Sequence, residues 1–159
     1  AVKYFKERLS RDDFASGMRP RSFMTREEVL AHGGTLEWRN DPEDPERRVA
    51  PSFGPALDMK ILIEKPADLE PSVFGIVLDG KQYAPAYFSV DKSGYNRVGK
   101  EVHTSSSLAL KTHGLLGGVW ELWTDSQLIN GNNTIVPLIK LKDRTTEAFR
   151  KEVVVLFGG

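Results

Sequence analysis

The chain has 159 residues, of which 40% are apolar and 28% charged, with 22 basic and 22 acidic side chains and no cysteine. That length and balance describe one soluble globular domain with a core, and exclude wholesale disorder, collagen, coiled coil and a membrane-spanning helix. A net charge of zero lacks the basic excess of a dedicated duplex-DNA binder, so nucleic acid is not an expected partner. The missing thiols exclude disulfides, thiolate nucleophiles and thiolate-held metals, and no cofactor is expected.

The sequence opens Ala1-Val2, which fits removal of an initiator Met, and the charge from Lys3 onward leaves no visible signal peptide. Residues 1–26 carry seven basic and three acidic side chains, and residues 27–48 carry seven acidic and three basic ones. These opposed blocks mark residues 1–48 as a charge-polarised arm and residues 49–159 as the body. Arg8, Arg11, Arg19, Arg21 and Arg26 are the arm's candidate contacts with another subunit.

Within the arm, Val2, Phe5 and Leu9 fall near helical spacing, and Ser10 with Asp13 can restart a turn. Gly17 and Pro20 break the chain. Thr25 and Glu28 form a capping box that predicts a short helix, with Gly33-Gly34 as its stop. Residues 35–38 are a strand candidate, and the Pro- and acid-rich residues 40–51 are a loop.

From there the period is two. Leu57, Met59, Ile61 and Ile63 alternate with polar neighbours, and residues 73–78 form an apolar run expected to be a strand buried on both faces. Asp79-Gly80 joins that run to a strand over 81–90 as a type I′ hairpin. Residues 91–100 read as a polar, Gly-containing loop, and residues 105–110 as a strand. Strands are also expected over 117–123, 134–141 and 152–157, with a turn at 130–133. Many short strands at near-regular spacing predict a mainly β chain: an antiparallel β-sandwich, immunoglobulin-like or jelly-roll, with a short helical or irregular N-terminal extension.

Several constellations bear on chemistry. Asp44 followed by Asp58-Met59-Lys60 matches the spacing of metal-dependent nucleases, in which two carboxylates hold a hard cation and the Lys steadies a phosphate. The same Asp58 and Lys60 are also what the polar face of a half-buried strand would show. Ser105-Ser106-Ser107 with His103 and His113 lacks any Gly-x-Ser-x-Gly elbow. The loop bearing Tyr95, Arg97 and Lys100 mixes cations with an aromatic and is a surface-recognition candidate. Trp120 and Trp123 point to opposite faces of a regular strand, so one of them must cover a face that water would otherwise see. Residues 73–80, Val-Phe-Gly-Ile-Val-Leu-Asp-Gly, resemble a segment of the carbohydrate-binding β-sandwiches fused to O-antigen transporter ATPases. The resemblance covers under a tenth of the chain and implies a sandwich and a glycan partner.

Three readings follow. The first is a non-enzymatic structural protein whose arm docks onto neighbouring subunits, in a homo-oligomer or a larger assembly such as a virion, as a capsid-decorating or tail-associated component. The second is a carbohydrate-binding module using Trp120 or Trp123 with Tyr95. The third is the nuclease.

Overall fold

The computed structural model describes residues 1–129 and 131–158, leaving aside the side chain of Pro71. The chain is mainly β, with 40% strand against 29% helix. Its framework is a five-stranded antiparallel sheet in the order β2-β1-β5-β7-β6. The strands are β1 (Val2–Glu7), β2 (Ser22–Phe23), β5 (Phe53–Glu64), β6 (Ile76–Leu78) and β7 (Lys81–Asp91). A small ribbon pairs β3 (Arg39–Asn40) with β4 (Arg48–Val49), and a long one pairs β8 (Gly118–Ile129) with β9 (Asn132–Arg144).

The expectation of a mainly β, antiparallel chain holds. No second large sheet faces the five-stranded one among the described residues. Its inner face meets a helix and the β8–β9 ribbon instead. The helix runs through α3 (Lys92–Gly94), a π-helical stretch (Tyr95–Gly99) and α4 (Lys100–Leu108). Leu57, Met59 and Val90 from the sheet bury against Val98 and Val102 from this helix, with Tyr95, Trp120 and Ile139 packed at the margin. The register places Leu57 beside Val90 and Met59 beside Phe88, so alternate residues of two long strands supply one apolar face.

A second cluster sits at the start of β5. Phe53 is 1% exposed and Val29 0%, and both close on Gly34. Phe23 stacks on His32 at 4.6 Å and tilts against Phe53 at 5.4 Å.

Several local expectations hold. Ser10 and Asp13 form a reciprocal capping box on α1 (Arg11–Ala15), and Thr25 and Glu28 do the same on α2 (Arg26–Ala31). Gly33 follows α2 with φ +73°, the left-handed residue that stops the helix. Asp79 (φ 48°) and Gly80 (φ 75°) turn β6 into β7. The turn between β8 and β9 carries Gly131 at φ 79°, while Asn130 lies outside the described residues.

Others are corrected. Residues 2–7 are a strand, not a helix: β2 and β5 lie on either side, and the ladder satisfies the backbone. Residues 35–38 form no strand; Thr35 and Ser52 instead exchange hydrogen bonds through backbone and hydroxyl groups. Residues 40–51 are not wholly a loop, since β3 and β4 pair there. The apolar run 73–78 is a strand only over Ile76–Leu78, with Val77 62% exposed at the sheet edge. Residues 91–100 and 105–110 fall largely in helix rather than loop and strand. Residues 152–157 lie in α5 (Glu147–Phe157), where Thr146 caps the first turn and no neighbouring strand offers a ladder.

Candidate functional site

Three places carry chemistry or contact potential: the outer face of the large sheet, the basic N-terminal surface, and the β8–β9 ribbon with α5. On the outer face, register brings Tyr4, Ala56 and Asp91 side by side, with Asp58 opposite Ser89 and Lys60 opposite Tyr87. The Tyr4 hydroxyl donates to Asp58 Oδ1 at 3.3 Å, and Lys6 Nζ meets Asp91 Oδ2 at 3.0 Å. Burial, then the Asp58 charge, push the Tyr4 phenol above its usual range, and the hydrogen bond to Asp91 chiefly raises Lys6. Lys60 Nζ lies 5.9 Å from the centre of the Tyr87 ring.

Asp58 and Lys60 therefore share one face, as the spacing predicts, and each has a protein neighbour. Asp44 sits in the connection between β3 and β4, where its carboxylate accepts from the Glu46 amide at 3.1 Å. Among the described residues no three His, Asp or Glu side chains gather to hold a metal ion. The serine run belongs to α4: Ser105 donates to Glu101 Oε1, and Ser106 to the His103 carbonyl.

The five arm arginines have different fates. Arg21 meets Glu7 through both carboxylate oxygens, at 2.6 and 3.0 Å, and that contact holds Glu7 below the ordinary carboxylate range. Arg26 pairs with Glu37 at 3.4 Å, joining the basic block to the acidic one. The Arg8 guanidinium lies against Gly54, where a Cβ would come within 2.7 Å of it. Arg11 and Arg19 make no ion pair among the described residues.

The expected recognition loop is absent because its residues are helical. Tyr95 packs on the core, Arg97 donates to Gln127 Oε1 at 3.0 Å, and Lys100 stays exposed. The spacing of Tyr95, Val98 and Val102 carries a helical signal, but Gly94 and Gly99 mask it. Both glycines permit close approach. A Cβ on Gly99 would come within 2.9 Å of the Tyr95 ring, and one on Gly94 within 3.3 Å of Pro137.

The two tryptophans do part company. Trp120 packs on the core and Trp123 is 42% exposed. The register puts Trp120, Ile139, Ile135 and Leu128 on one face of the ribbon. At the base that face meets the core; at the tip Ile135 and Leu128 are 74% and 73% exposed. The twist of a two-stranded ribbon turns the stripe from core to solvent, while Val136 on the opposite face becomes buried. The helix α5 behaves similarly. It is fixed at its start by the Phe149–Tyr83 ring contact and by Glu152 accepting from the Asp79 amide at 2.8 Å, yet no residue in it is fully buried. Its last turns, including Val155 at 83% exposure, present apolar side chains outward.

Sequence reading missed these surfaces: it placed Ile135 and residues 152–157 in strands and assigned Leu128 to no element. No helix among the described residues is long and apolar enough to cross a membrane. Compared with known proteins, the chain matches no family model, no curated protein and no solved structure.

Proposed function

We propose that this chain is a non-enzymatic structural protein that works by assembling with protein subunits, first of all with copies of itself. The carrying observation is the ribbon stripe that starts in the core at Trp120 and Ile139 and ends uncovered at Ile135 and Leu128. Burying one such side chain is worth roughly 1.5–3 kcal/mol. A two-stranded ribbon alone is marginal in water, and among the described residues no third strand pairs with either edge of this one. A second copy related by a two-fold axis would cover stripe and edge together, since a two-fold contact uses the same patch twice. The exposed end of α5 and the unpaired Arg11 and Arg19 supply further surface for a larger particle, and a virion component fits that character.

The test is the mass of the full chain in solution, beside an Ile135→Glu and Leu128→Glu double variant. Both positions are exposed, so the fold tolerates the change. The expected result is a defined oligomer for the natural chain and a folded monomer for the variant. A natural chain that stays monomeric at every concentration overturns self-assembly.

The carbohydrate reading retains one observation, the exposed Trp123 with Asp125 two residues on along the same face. A glycan screen with Trp123→Ala as its control tests that reading separately.

A further inference from the structure

A cleft of about 210 Å³ opens where the end of α4 meets the β9–α5 junction. Thr112, His113, Arg144, Thr145 and Arg150 line it, over a floor that includes Leu110, which is 3% exposed. Two arginines, a histidine and two threonines line one space, and no acidic residue lines it. Neither Arg144 nor Arg150 meets a carboxylate among the described residues, so the cleft holds two guanidinium charges that no acidic side chain neutralises.

The walls are held from behind. The Thr145 hydroxyl donates to the Leu116 carbonyl at 2.8 Å, and the Thr145 amide to the Gly117 carbonyl at 3.0 Å. The Arg150 guanidinium donates to the Thr145 carbonyl and lies 3.3 Å from its hydroxyl. The Gly114 amide donates to the Leu110 carbonyl at 2.7 Å, which closes the turn beneath His113. Gly117 is required where it stands, because a Cβ there would come within 2.9 Å of His113 Cβ. Arg144, by contrast, makes no side-chain bond of its own among the described residues and is exposed.

We infer that this cleft is a binding site for a small phosphate-bearing anion. Guanidinium forks match the oxygens of a phosphate two at a time, and the Thr112 hydroxyl adds a neutral donor, while the Thr145 hydroxyl is spent on the Leu116 carbonyl. The volume lies below the roughly 300–1,000 Å³ of drug-sized ligand sites, which limits the guest to inorganic phosphate or a compact phosphomonoester. Arg150 is the positioned donor, already braced on Thr145, and Arg144 closes on the ligand from the exposed side. The inference stands apart from the assembly reading, since it uses none of the exposed apolar side chains at the ribbon tip.

The experiment titrates the full chain with inorganic phosphate and, separately, with glycerol 3-phosphate, by calorimetry and by NMR shifts of the Thr145 and His113 amides. Saturable binding at one site is expected, with both amides shifting. Arg144→Gln should weaken it by about tenfold or more, the scale of one charged hydrogen bond. His103→Gln, on the exposed side of α4, should leave it unchanged. Tighter binding of the ester than of free phosphate identifies an organic phosphate as the guest, and the reverse identifies the ion. No saturable shift with either compound, or equal binding by Arg144→Gln, overturns the site.

Discussion

Gly99 shows how a single residue can mislead a reading of the sequence. In a polar stretch with Gly94 and Ser93 it looks like loop flexibility, but its function is contact: the Tyr95 ring occupies the space of its missing Cβ. Helix propensity alone would gain about 1 kcal/mol from Gly99→Ala. Overpacking a core position costs about 1–3 kcal/mol, so the clash should win and the variant should melt lower. Gly75→Ala, with nothing within 4 Å of its added carbon, should melt close to the natural protein. Thermal unfolding of the two variants decides the matter.

Glu7 is a second residue-scale test. The side-chain hydrogen bonds from Arg21, joined by the Arg21 amide, hold it ionised to lower pH than a free glutamate. A carboxylate lowered on folding stabilises at pH values above about 4.3, and that contribution is lost as pH falls through the lowered folded value. Glu7→Gln should therefore melt lower than the natural chain at neutral pH and match it in strong acid. A constant gap at all pH values would contradict this.

At the scale of elements, local chemistry was the legible part. Thr25 with Glu28, Ser10 with Asp13, and Asp79-Gly80 each combine a specific hydrogen bond or backbone angle with a particular residue type, and all three form as expected. Elements whose identity depends on neighbours were not legible. Val2 to Glu7 becomes a strand because β2 and β5 lie on either side. The Val-Val-Val of α5 has strong β propensity, but the Thr146 cap and the Glu147–Lys151 pair at 2.7 Å favour helix where no strand edge is at hand. Thr146 does two things at once: its hydroxyl accepts from the Phe149 amide and donates to Asp79 Oδ2 at 2.7 Å. Thr146→Ala should cost about 1 kcal/mol, with loss of protection concentrated in 147–157. The basic cleft was hidden for the same reason, since its junction exists only if 147–157 is a helix.

For the whole molecule, β5 is the member that both apolar clusters share. Phe53 belongs to the one closed by α2 and β2, and Leu57 and Met59 to the one closed by the 92–108 helix and the ribbon. Val98 is fully buried in the second cluster, so Val98→Ala should destabilise by about 2 kcal/mol, two lost methyls plus a small cavity. Residues 1–7 are tied to the same framework by the β1–β5 ladder, so their surface contacts act from a fixed position. What this architecture leaves unsatisfied is the ribbon tip, where a core stripe runs into water. The most direct measurement is hydrogen exchange of the β8 and β9 amides in dilute and in concentrated solution. Assembly through the ribbon predicts that their protection rises with concentration while that of β5 and β7 does not. Ribbon amides that exchange at one rate across the whole range would contradict it.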